Sequence, residues 1–240
     1  MELTIDFKRN TIRMSDSPED PRYLTPGEFV NSDDPTVIAF AAKTVGDAKT
    51  DLDKALRLFH AIRDDIVYDP YLPMGKKESY RAVDALTSGR GWCVPKAALL
   101  AACARSLGIP ARCGYADVKN HLASQKLLDE IGTDIFFWHS YCDLHLNGKW
   151  VKATPAFNIG MCDKFGLKPL EFDGENDSLF HEFDQAGNKH MEYVQNRGTY
   201  ADVPFEEILA TFAAEYKGMA EHLDEGIEGD FIEDVAQENA

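Results

Sequence analysis

The chain has 240 residues, 44% of them hydrophobic, with 41 acidic against 25 basic side chains and a net charge of −16. Such a surface repels nucleic acid and anionic membranes, and no basic stripe offsets it, so neither is expected as a partner. Five cysteines without a CxxC pair argue against a disulfide framework and for reduced thiols.

The N-terminus, MELTIDFKRNTIRM, lacks the long apolar core of a signal peptide. No stretch approaches the ~20 apolar residues of a membrane span. The default expectation is a cytoplasmic protein. Residues up to about Pro35 are rich in Pro, Asp and Ser and read as an extended lead-in. TVIAFAAKTV, 36–45, reads as a short apolar helix. TDLDKALRLFHAIRDD follows, with Thr50 as cap and Asp51 and Asp53 in the first turn. Leu52, Leu56, Phe59, Ile62 and Ile66 form its apolar stripe.

DPYLPMGKK is a loop broken by Pro and Gly, and RAVDALTSG a short helix ended by Gly89. Cys93 then stands at the mouth of another helix, with Pro95 in the first turn, where its missing N–H costs nothing. Residues 97–107 are almost entirely apolar, so this helix is expected to be buried on most sides. From Ala111 the pattern turns to strands. ARCGYADV is one, and IFFWHSYCDLHLNGKWVKATP is a hairpin turning at Asn147-Gly148. SLFHEFDQAGNKHMEYV reads as a second hairpin turning near Gly187-Asn188, and Pro204 to Tyr216 as a helix. The last stretch, from EHLDEG onward, is acidic and reads as loose at its end. The expected fold class is α+β: one domain over 1–240, helices first and then an antiparallel sheet.

Cys93 admits two readings, a buried small residue or a nucleophile. A helix N-terminus favours thiolate. A nucleophile also needs a base, and histidine is the usual one. Of the seven histidines, His139 stands out because it follows Phe-Phe-Trp near the start of a strand. His145 shares its strand face, His60 reads as a packing or surface residue, and His121 falls in a polar loop, His181 and His190 in the later hairpin and His222 in the tail.

These elements resemble the transglutaminase-like superfamily of papain-related cysteine enzymes, in its stand-alone bacterial type. The resemblance runs over about 52–158 and leaves 161–240 as an extension of sheet, helix and acidic tail. It rests on IRDDIVYDP, on RAVDALTSGRGWCVPKAALLAACARSLGIPAR, and on His139, Asp143, Asn147-Gly148 and Trp150 in order. It implies a papain-like core in which Cys93 attacks an amide or peptide carbonyl and His139 carries the proton. The substrate class would be a peptide or protein amide, resolved through a thioester by water in preference to an amine. No cofactor and no calcium are implied.

The resemblance would place an aspartate four residues after Trp150, before a proline. Here Thr154 stands there, followed by Pro155. A threonine hydroxyl can accept one hydrogen bond from an imidazole but brings no charge. Thr154 is therefore the first candidate to orient the ring, Asn158 the second and Asp143 the third. Asp143 lies about 13 Å from His139 along one strand face. The backbone N–H of Cys93, with Trp92, Trp138 or Tyr68, could stabilise an oxyanion. The lost aspartate also admits an alternative, a weakened fold that binds a peptide or protein.

Zinc spacing is absent, since Cys142 and His145 point to opposite faces of a strand. Asp173, Glu175 and Asp177 have a calcium-loop cadence, but Ser178 stands at the glycine position and Asp184 at the twelfth.

Overall fold

Asp34 opens the first helix, α1 (Pro35–Val45), by accepting the Thr36 N–H at 2.7 Å, with Pro35 at the first helical position. This computed structural model describes residues 17–120, 123–179, 191–219 and 222–238. Thr50 caps α2 (Asp51–Asp65) through the Asp53 N–H at 3.0 Å, as its sequence predicts. The chain then extends into β1 (Val67–Tyr68). A short helix α3 (Ala82–Ser88) ends on Gly89 at φ 67°, and β2 (Arg90–Gly91) pairs in parallel with β1.

β2 delivers the chain to α4 (Cys93–Ser106), with Trp92 at the N-cap position. Every residue from Cys93 to Arg105 is buried, so α4 is wrapped on all sides. α1, α2 and α3 contact one side of it and the sheet the other. A lysine inside such a helix needs partners. Lys96 is fully buried, and its ammonium donates to the carbonyls of Arg63 and Ile66 at the end of α2. Those carbonyls are the ones a helix end leaves unpaired, so Lys96 ties the first turn of α4 to α2. Burial pushes its pKa down to about 7, against the pull of Asp64.

The sheet comprises β3 (Ala111–Asn120), β4 (Ile135–Leu146), β5 (Lys149–Ala153) and β6 (Met191–Tyr200), in the spatial order β5-β4-β3-β6. All neighbours in it run antiparallel. The β4–β5 hairpin turns at Asn147 (φ 48°) and Gly148 (φ 83°), the left-handed pair the sequence demands. Two arginines of the Arg-x-x-Gly-Ile-Pro-Ala-Arg stretch brace this region. Arg105 donates to the carbonyls of Thr25, Ala111 and Ala201. Arg112 pairs with Asp143, its direct cross-strand partner, at 2.8 Å, and stacks on Trp150 at 4.2 Å.

Four further helices complete the described chain: α5 (Gln125–Ile131), α6 (Ile159–Phe165), α7 (Phe205–Glu215) and α8 (Phe231–Glu238). α7 agrees with its sequence signal, whereas α5 and α6 were not anticipated. The acidic end is not loose as expected. Phe231 and Val235 of α8 are buried, and Phe231 packs against Tyr68, Tyr71 and Phe165. Two apolar anchors one turn apart outweigh the surrounding charge. The predicted turn at Gly187-Asn188, His121, His181, His190 and Asp184 lie outside the described residues. The fold class is α+β, helices around α4 and one antiparallel sheet against it. Among the described residues, no helix is long and apolar enough to cross a membrane.

Candidate active site

Cys93 occupies the first position of α4, where the unpaired N–H groups of the helix end gather. The N–H groups of Cys93, Val94 and Ser140 favour its thiolate. Burial outweighs them, however, and pushes the thiol up to about 12. Ser140 directly follows His139 on β4, so the thiol lies against the strand that carries the imidazole. Both Cys93 and His139 line one cavity of about 30 Å3, walled by Tyr68, Trp92, Phe137 and Tyr216 among others. The two residues singled out in the sequence are thus brought to one place.

A bulge aims His139. Ala116 pairs with His139 and Val118 with Phe136, so Phe137 and Trp138 together oppose Asp117 alone. Trp138 adopts φ 61°, a left-handed conformation that a bulky residue rarely takes. The bulge removes both N–H groups from the ladder, and side chains supply their acceptors. Tyr216 OH accepts from Phe137 N–H at 2.9 Å, and Asp117 Oδ1 from Trp138 N–H at 3.1 Å. Asp117 is held in turn by Arg197, at 2.8 Å. Arg197 also covers the Trp138 ring at 4.9 Å, and Trp138 Nε1 donates to Thr211 at 2.9 Å. The strained residue is fixed from three sides. Asp117, Arg197 and Tyr216 escaped the sequence reading, because nothing in a strand sequence marks a bulge without glycine.

His139 is 6% exposed, and burial pulls its pKa down to about 4. At neutral pH the pair therefore rests as thiol and neutral imidazole. His139 and Thr154 also line a second, smaller cavity, of about 10 Å3. His139 Nε2 and Thr154 Oγ1 are both buried with no hydrogen-bond partner. Leaving a polar group in that state costs roughly 1–3 kcal/mol.

Asn158 lines neither cavity. Its Oδ1 accepts the Tyr68 N–H at 3.1 Å, which secures the wall residue Tyr68 instead of the imidazole. Asp143 is committed to Arg112. Of the proposed oxyanion donors, Trp92 Nε1 is spent on Ser79 O at 3.0 Å and Trp138 on Thr211. The Cys93 N–H and the Tyr68 hydroxyl have no such commitment among the described hydrogen bonds. Among the described residues no group of three or more His, Cys, Asp or Glu could hold a metal ion. Asp173 instead accepts the N–H groups of Glu175 and Asn176 and closes a turn. A larger open hollow, about 370 Å3, borders Glu78, Asp84 and Arg90 and holds neither cysteine nor histidine.

Residues 38–155 match the model of the transglutaminase-like superfamily. Two solved structures are similar to the chain. One is a proposed cysteine protease from Cytophaga hutchinsonii, 18% identical, with a TM-score of 0.43 over 74% of this chain and 53% of that one. The other is a proposed protease from Parabacteroides distasonis, 17% identical, with a TM-score of 0.37 over 52% of this chain and 25% of that one. The chain thus spans about half and a quarter of their lengths. No curated protein matches it.

Proposed function

From a chain whose residues 38–155 belong to the transglutaminase-like superfamily, we propose a cysteine enzyme that cleaves an amide or peptide bond through a thioester on Cys93. The observation that carries this reading is the shared cavity, with Cys93 at a helix N-terminus and His139 on a braced bulge beside it.

Burial sets the order of events. Because the resting pair is neutral, the proton moves as the substrate is attacked and not before. Cys93 Sγ bonds to the carbonyl carbon while its proton passes to His139. The negative oxygen faces the N–H groups at the start of α4. The tetrahedral centre collapses, the C–N bond breaks, and His139 returns the proton to the departing amine. Water then attacks the thioester, with His139 taking its proton, and Cys93 is released with the acid product. The cavity wall is supplied partly by Phe212 of α7 and by Tyr216 just after it.

An activated acyl ester tests the reading. Intact-mass and peptide analysis should find one acyl group on Cys93, lost in Cys93→Ser and released by water in the native protein. Acylation elsewhere, or none, sinks it. Release only on adding a primary amine would replace hydrolysis by transamidation.

A further inference from the structure

We infer that the acyl group delivered to Cys93 carries a small, uncharged, apolar side chain, seated in the cavity that Cys93 and His139 line. Such a seat rests on the thioester reading above, and the wall of the cavity specifies it. Besides Cys93, His139, Tyr68, Trp92 and Tyr216, the described lining residues are all Pro, Met, Leu, Ile or Phe. On a chain with a net charge of −16, none of them is a carboxylate, an ammonium, a guanidinium or a side-chain amide. Two of the polar wall atoms are already engaged: Trp92 Nε1 donates to Ser79 O, and Tyr216 OH accepts the Phe137 N–H. A charged or amide side chain entering here would give up its water shell for little in return. An alkyl group gains by leaving water.

Volume sets the second limit. The cavity measures about 30 Å3. An apolar cavity of about 150 Å3 admits a benzene ring, so this one admits a branch of roughly one to three carbons. Its walls are held at that size. α5, which supplies Leu127 and Ile131, is tied to α8 by the Gln125 N–H on Glu238 at 2.8 Å and by Lys126 on Asp234 at 3.2 Å. Tyr216 stacks on Phe212 at 4.6 Å. Most of the wall residues are buried. So enclosed a seat suits the acyl side of the scissile bond, because the amine must depart and water must replace it while the acyl group stays on Sγ. Met74, Leu127, Ile131 and Phe212 are thereby specificity-determining residues. Phe212 and Tyr216 lie outside the matched residues 38–155, so the seat belongs partly to this chain's own extension.

The test gives the native full chain para-nitrophenyl esters that share a leaving group and differ in the acyl part: acetyl, isobutyryl, benzoyl and succinyl. The rate of Cys93 acylation, assigned by peptide mass analysis, is divided by the rate of each ester with a free thiol. Acetyl and isobutyryl should exceed benzoyl and succinyl by about 10-fold or more. Leu127→Ala and Met74→Ala widen the cavity from two different elements. Each should raise benzoyl relative to acetyl by about 10-fold, with succinyl still excluded. A flat order in the native chain, or benzoyl or succinyl ahead, overturns the seat while the thioester on Cys93 stands. An unchanged order in whichever widened variant folds also overturns it. If no ester acylates Cys93, the thioester reading itself has failed and the seat falls with it.

Discussion

The two halves of β4 share one strand and differ in what they are for. From Ser140 to Leu146 the strand is regular, paired with β3 as far as Leu144 on one side, and with β5 from Cys142 onward on the other, with no register shift. Its buried carboxylate, Asp143, faces Arg112 of β3 across the ladder. From Ile135 to His139 the strand is bulged, Trp138 is left-handed, and side chains replace ladder acceptors. One half holds the sheet together. The other spends regularity to turn a histidine toward a thiol, as bulges beside functional sites do.

If that division holds, damage to each half has a different signature. The largest effect on stability belongs to the regular half. Arg112→Met strands Asp143 as a buried carboxylate and should cost about 3–5 kcal/mol in urea unfolding. Cys93 alkylation, corrected for the folded fraction, should stay within about two-fold of native. A large change in reactivity would show that the halves are not separable.

The next effect comes from His139 itself. Its pKa falls from 6.5 to about 4 on burial, so between those values the unfolded chain binds the proton that the native one refuses. The stability it contributes is complete above about 6.5 and falls as pH drops to about 4, by roughly 3 kcal/mol in all. Unfolding curves across that window should flatten by this amount in His139→Gln. Parallel curves would mean that His139 is not buried neutral.

Asp117→Asn should cost less, about 1–2 kcal/mol, because an amide oxygen still accepts the Trp138 N–H while the charge opposite Arg197 is lost. It should nevertheless slow Cys93 alkylation by about 10-fold, since a relaxed bulge misdirects the imidazole. Native reactivity in this variant would break the claim that the bulge aims His139.

The same division explains what the sequence disclosed. The regular parts were legible: Thr50 before α2, Gly89 after α3, the apolar run of α4 and the Asn147-Gly148 turn each carry a local signal. The Cys93 and His139 pair was legible as two motifs on separate elements, and the shared cavity joins them. What was not legible depends on contacts distant in sequence. Asp117 reads as an ordinary polar residue until Trp138 and Arg197 meet it, from 21 and 80 residues away. α8 was hidden for a similar reason, since its charges dominate the composition and its two anchors matter only once Tyr68 and Tyr71 are in place.

The most direct measurement is the rate of Cys93 alkylation against pH, with mass-spectrometric assignment of the site, in the native protein and in His139→Gln. The account predicts a component of the rate at and below neutral pH, where a thiol of pKa about 8.5 is unionised, that falls by about 10-fold or more in the variant. Equal rates in both proteins, rising only as an isolated thiol ionises, would contradict the pairing of Cys93 with His139 and leave a transglutaminase-like fold suited to binding.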